Sequence, residues 1–200
     1  MKIFGNWENN NKDFFNLIVE ESKKSKEILF VSGFSSLGFF AHLFKEIYLD
    51  PKKNTKKIKF IIGNEVTKPF YKIKDEVKRH FKNNSFDYYY FSGIELLKKF
   101  LSNKKELDKE LGFKRDLELE VKIEEGERTL HAKIFVYDNS IIHGSSNLSY
   151  SGTVTQLELN TQVFSQEESF NEIYNIATAY WNSKTAVDYK KELLNLFEEN

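Results

Sequence analysis

From His131 to Val136 the chain alternates. Ala132, Ile134 and Val136 fall on one parity, and His131, Lys133 and Phe135 on the other. A period of two, rich in β-branched and aromatic residues, is the pattern of a strand. Successive side chains leave a strand on opposite faces, so His131 and Lys133 are expected on one face. Asn139-Ser140 supplies a turn, and Ile141-Ile142-His143 a second short strand. Beyond it, Ser145 and Asn147 are again two residues apart and can face one way. Two such strands side by side would gather an imidazole, an ammonium, a hydroxyl and an amide in one place. That set suits a phosphodiester: lysine and asparagine hold the non-bridging oxygens while the imidazole attacks phosphorus.

The rest of the chain is expected to build a sheet around this pair. Residues 11–25 read as a helix, with Phe14, Leu17 and Ile18 on one face. Glu27 to Val31 reads as a strand, followed by a helix that stops near Pro51. Lys57 to Ile62 is a strand, 70–82 a helix, Tyr88 to Phe91 a strand and Ile94 to Leu111 a helix. Leu117 to Ile123 alternates as a strand. Glu124-Glu125-Gly126-Glu127 is then a turn that would pair Leu130–Tyr137 back as a hairpin. Leu157 to Phe164 is a further strand, and the tail is helical through Trp181 and again over 185–198. With 200 residues, 40% of them hydrophobic and 19 of them Phe, core material is ample. The expected fold is α/β: a mixed central sheet flanked by helices on both faces, in one domain spanning residues 1–200.

His131, Lys133 and Asp138, followed by Gly144, Ser145 and Asn147, resemble the signature of the phospholipase D superfamily, H-x-K-x4-D and then G-S-x-N. Glu158 stands where many members carry a glutamate about ten residues further on. One departure is visible. Five residues separate Asp138 from Gly144 where six is usual, so the turn between the two strands must be shortened without changing register. The match covers about thirty residues, and six matched positions on strands make it specific.

The resemblance implies a phospholipase D-like fold and a mechanism that uses two such motifs per site. One histidine attacks phosphorus, the other protonates the leaving oxygen, and water releases the product. Lys133 and Asn147 would carry the charge, with neither metal nor cofactor required. Ser145 would contact phosphate or the histidine pair, Glu158 would fix the tautomer of His131, and Asp138 and Gly144 would be structural. This chain supplies one motif, so the resemblance implies a homodimer with two copies of His131 facing each other. The turn Ser32-Gly33-Phe34-Ser35-Ser36, at a strand end before a helix, is a candidate substrate loop through Ser32, Ser35 and Ser36. A plain β–α turn with serine capping is an equal reading.

A second H-x-K-x4-D, at His80, Lys82 and Asp87, reads as a chance match. His80 ends a helical pattern, Asn83-Asn84-Ser85 is a helix stop, and Ile94 and Leu96 stand where serine and asparagine belong. Its distance from His131 is also too short for a second lobe, which needs roughly a hundred residues.

Three substrate readings stay open. A DNA endonuclease of restriction or defence type is favoured, because the run Gly144–Gly152 with Glu158-Leu159-Asn160 after it looks like restriction-type members. A phospholipase or transphosphatidylase is the second reading, and a non-catalytic nucleic-acid-binding dimer the third. For the first, a separate target-recognition or motor subunit, or a longer parent chain, would read the sequence. The start of the chain lacks the apolar run of a signal peptide, no segment is long enough to span a membrane, and there is no cysteine. A cytoplasmic protein without membrane partners is expected. Zero net charge argues against a generally basic surface. The basic runs Lys52–Lys59 and Lys98–Arg115 are read as solvated surface. Tyr88–Phe91 could stack on bases, but an edge or buried strand is the preferred use.

Overall fold

The computed structural model describes residues 1–5, 11–50, 55–63, 88–127, 129–149, 152–153 and 158–198. In chain order its elements are β1 (Lys2–Gly5), α1 (Asn11–Lys24), β2 (Glu27–Ser32), α2 (Leu37–Tyr48), β3 (Lys57–Gly63) and α3 (Tyr88–Leu111). Then follow β4 (Glu118–Glu124), β5 (Lys133–Val136), β6 (Ser140–Gly144), β7 (Leu159–Phe164), α4 (Glu168–Trp181), β8 (Ala186–Asp188) and α5 (Lys190–Glu198). All eight strands form one mixed sheet, in the order β1-β7-β6-β5-β2-β3-β4-β8. Strands β2, β3 and β4 are parallel, and β5 runs against β2. Hairpin pairing then turns β6 and β7 alternately. The ends of β2, β3 and β6 and the beginnings of β5 and β7 therefore share one edge of the sheet.

Each face of the sheet buries its own apolar layer. Phe30, Phe60, Phe135 and Ile142 pack under α1, α2 and α3, with Leu193 of α5 in the same layer. Phe30 meets Phe60 and Phe135 edge-on, at centroid separations of 6.4 and 5.7 Å, and Phe40 of α2 stacks on Phe60 at 4.6 Å. On the other face Leu29, Val31, Ile61, Ile134 and Ile141 pack under Ala177 and Trp181 of α4. The fold is thus α/β with helices on both faces, as the alternation of elements indicates.

The short turn between β5 and β6 absorbs the residue missing from the motif. Tyr137 N donates to Ser140 O at 2.9 Å, and Val136 pairs with Ile141 in register. Four expectations need correction. Tyr88–Phe91 is the first turn of α3, not a strand; the aromatic run favours a strand locally but is continuous with a helical sequence. Strand β4 is not the hairpin partner of β5. It lies between β3 and β8, because its backbone groups are taken by a parallel partner far away in sequence. The strand expected over Leu130–Tyr137 is Lys133–Val136, so His131 precedes it. Residues 186–188 form edge strand β8 ahead of a helix that begins at Lys190. Strand β1, paired antiparallel with β7, was not anticipated. The helix expected at 70–82 and the chance motif at His80–Asp87 lie outside the described residues. Among the described residues no helix is long and apolar enough to cross a membrane.

Candidate active site

His131 and Lys133 arrive at the shared sheet edge because the chain crosses the ends of two parallel strands just before β5. That crossing needs glycine beneath it. A Cβ on Gly63 would stand 2.5 Å from the Leu130 carbonyl oxygen. One on Gly33 would stand 2.7 Å from the same oxygen and 3.0 Å from His131 Cα. Gly33 N also donates to Ala132 O at 3.0 Å, which fixes the height of the crossing. The imidazole of His131 is exposed, whereas Lys133 is buried and pairs with Ser32 across the β2–β5 ladder. Lys133 Nζ lies 3.0 Å from His131 Nδ1, 3.2 Å from Nε2 and 2.7 Å from the His131 carbonyl oxygen. One ammonium thus sits against a solvent-facing imidazole.

The G-S-x-N segment follows β6 at the same edge. Gly144 is required by closeness: a Cβ there would overlap the Leu159 carbonyl oxygen and stand 2.6 Å from Asn160 Oδ1. Ser145 and Asn147 turn to different neighbours. Ser145 Oγ accepts from Leu159 N at 3.0 Å and donates to Leu159 O at 3.3 Å, so it ties the start of β7 to the loop. Asn147 Oδ1 accepts from Phe34 N at 3.2 Å, in the turn after β2. Glu158, half-buried, immediately precedes β7. Asp138 sits at the far end of β5. Its carboxylate accepts from Lys26 N at 2.8 Å and Glu27 N at 3.3 Å, which holds the entry to β2.

The three serines of the candidate substrate loop are committed to the main chain. Ser32 Oγ donates to Phe34 O at 2.5 Å and accepts from Leu148 N at 3.0 Å. Ser35 Oγ donates to Leu148 O at 2.8 Å, and Ser36 caps α2 by accepting from Phe39 N at 3.3 Å. The turn is therefore bolted to the residue after Asn147. Two buried residues went unassigned in the sequence. Asn160 Nδ2 donates to Ser146 Oγ at 2.7 Å and clamps β7 to the G-S-x-N loop from below. Ser146 is the variable position of its motif and Asn160 lies outside it, so only the tertiary pairing reveals them.

Several lysines of the basic stretches stand in ion pairs. Lys57 pairs with Glu118 and Glu120, and Lys59 with Glu27. Lys99 pairs with Glu110 and Lys104 with Asp108. Buried Arg115 donates to the carbonyls of Ile47, Tyr48 and Asp50 at the end of α2. Among the described residues no three histidine, aspartate or glutamate side chains gather as a metal site would require.

No protein-family model matches the sequence, and neither does any curated protein. Solved structures do match. A phospholipase D family member, Nuc from Salmonella typhimurium, superposes with a TM-score of 0.53 over 94% of this chain and 96% of that one, at 10% identity. NucT from Helicobacter pylori superposes at 0.50, over 94% and 97%, at 13% identity. Phosphatidylserine synthase from Haemophilus influenzae gives 0.52, but only 43% of its chain is covered by 98% of this one, at 15% identity. At these identities the likeness is one of fold. The chain has a phospholipase D-like fold, and the H-x-K and G-S-x-N segments lie together at one edge of its sheet.

Proposed function

We propose that this chain is a phosphodiesterase, its 200 residues acting as one phospholipase D-like domain, and that it cleaves DNA as an endonuclease of restriction or defence type. The observation that carries the reading is the placement of Lys133 Nζ at 3.0 and 3.2 Å from the two ring nitrogens of His131, beside the loop that bears Asn147. In the reaction, a ring nitrogen of His131 forms a bond to phosphorus as the P–O bond to the leaving group breaks. Lys133 and the Asn147 amide meet the non-bridging oxygens. The leaving oxygen takes its proton from a second imidazole, that of His131 in a second copy of the chain. That imidazole, now neutral, removes a proton from water. The water oxygen then displaces nitrogen from phosphorus and regenerates the nucleophile. Glu158 would hold the other ring nitrogen.

A lipid substrate is disfavoured because the superposition spans less than half of the phosphatidylserine synthase, while it runs nearly end to end with Nuc and NucT. Selection of a target sequence would fall to a separate recognition or motor subunit.

The test is a pair of assays in EDTA, one on plasmid DNA and one on labelled phosphatidylcholine, with His131→Ala as control. Plasmid cleavage lost in His131→Ala is the expected result. Cleavage of lipid but not DNA overturns the substrate assignment, and cleavage by His131→Ala overturns the site. Mass in solution tests the pairing, since an active monomer is incompatible with one motif per chain.

A further inference from the structure

An asparagine that binds phosphate must present its amide nitrogen, because the oxygen arm is an acceptor and repels an anion. The two arms are nearly the same size, so shape alone does not choose between them. In this chain the choice is made by a backbone donor: Phe34 N reaches Asn147 Oδ1 at 3.2 Å. An N–H can accept nothing, so it holds only the oxygen arm and leaves Nδ2 facing the other way. Phe34 is itself fixed to the residue after Asn147. Ser32 and Ser35, both fully buried, bind the Leu148 N–H and carbonyl at 3.0 and 2.8 Å, and Ser32 Oγ also holds Phe34 O. On the far side the main chain of Asn147 rests on Gly152, where a Cβ would stand 2.5 Å from Asn147 O and 2.8 Å from its N. Backbone and side chain of Asn147 are thus held independently.

We propose that the turn Ser32–Ser35 is a positioning device for Asn147. Phe34 N–H sets the amide so that its donor end meets phosphate, and the hydroxyls of Ser32 and Ser35 keep the two loops moving as one. This rests on the phosphodiesterase reading and assigns a role to a segment outside both motifs. It also gives the loop serines a job without substrate contact.

The experiment uses the full chain with bis(4-nitrophenyl) phosphate as substrate and inorganic phosphate as the binding probe. Asn147→Asp keeps an acceptor for Phe34 N–H but offers phosphate no donor. It should lose roughly a hundredfold in kcat, at least as much as Asn147→Ala. With Phe34→Ala as the control that loses only the ring, Phe34→Pro removes the N–H as well. It should lower kcat about fivefold, the equivalent of one neutral hydrogen bond, with KM less affected. The Asn147 side-chain amide signals in a 1H–15N spectrum, shifted by phosphate in the wild type, should shift less in Phe34→Pro. If Phe34→Pro does not fold, Ser32→Ala and Ser35→Ala, checked by thermal melting, carry the same comparison. Folded turn variants with wild-type kcat and an unchanged phosphate response overturn the device alone. An Asn147→Asp protein as active as the wild type overturns the device together with the phosphate contact assigned to Asn147. A wild-type chain that neither hydrolyses the ester nor shifts its Asn147 amide overturns the phosphodiesterase reading, and the device with it.

Discussion

Strand β5 begins beneath an exposed imidazole and a lysine ammonium in contact with it, and is followed two residues on by Asp138, whose carboxylate is bound to two backbone N–H groups of the chain entering β2. Both ends are polar and both belong to one sequence motif. At the leading end the His131 ring is exposed and the ammonium of buried Lys133 reaches it. At the trailing end the carboxylate is an architectural cap, joined there by Ser25 Oγ, which accepts from Asp138 N at 3.2 Å. A motif read as a list of matched letters hides this division. The polar groups of the leading end stand beside a loop that Ser145 ties to the start of β7.

The sharpest way to break the comparison is at the leading end. His131→Ala should abolish hydrolysis of any phosphodiester the protein accepts and leave the melting temperature unchanged, since the ring is exposed. Lys133→Ala should lower turnover by roughly a hundredfold or more, the scale for losing one preorganised donor. A His131→Ala enzyme with residual turnover near the wild type would erase the distinction between the two ends.

At the trailing end the effects should reverse. Asp138→Ala strips an acceptor from two backbone donors and should cost about 1–2 kcal/mol, as loss of a helix cap does. For a chain of this size that is a fall of roughly 2–8 °C in melting temperature. Turnover per folded molecule should stay within about twofold, well inside the change that one hydrogen bond brings. Turnover falling as far as in Lys133→Ala, with melting unchanged, would move Asp138 to the reactive end. Gly144→Ala sharpens the contrast, because it forces a methyl group against the β7 main chain. It should destabilise by about 1–3 kcal/mol and reduce activity only through the Asn147 loop.

What the sequence made legible follows the same division. The pairing of β5 with β6 could be read because a two-residue period, a turn and a second apolar run are local signals. Strands β2 and β3 could be read for the same reason. The neighbour of β4 could not, since a parallel partner is separated from it by a helix and carries no mark in the alternation. The aromatic run at Tyr88–Phe91 misled because β-propensity reports fit to a pleated surface, and here the following helix extends back over it. In the site, the motif letters named His131, Lys133, Asn147 and Glu158. They did not tell what Ser32, Ser35 and Ser145 bind, because each hydroxyl finds its partner on a segment distant in sequence. Gly33 stood as a turn residue, and its use, with Gly63, as clearance for the Leu130–His131 crossing required the fold.

The smallest expected effect separates the two sheet faces at the reactive edge. Lys133 shares the face under α1 and α2, while His143, paired with Ile134 and Thr161, lies on the other. Burial holds the His143 imidazole below the usual histidine pKa. A histidine with a depressed folded-state pKa favours the neutral form in the native state. Above about pH 6.5 folded and unfolded chains are both neutral there, and stability is unaffected. As pH falls through the ordinary value, the unfolded state takes up a proton that the native state refuses, so stability declines until the native ring also titrates. Asp108 acts in a different window. Burial would raise its pKa, but hydrogen bonds from Tyr48 and Lys104 outweigh that and lower it. Its contribution is therefore whole above the ordinary aspartate range and is lost as pH falls from there through the lowered native value. Urea unfolding between pH 7 and 5 should show a gentle loss of stability in the wild type and a flatter profile in His143→Gln. A His143→Gln slope equal to that of the wild type over this interval would assign the acid sensitivity to other groups.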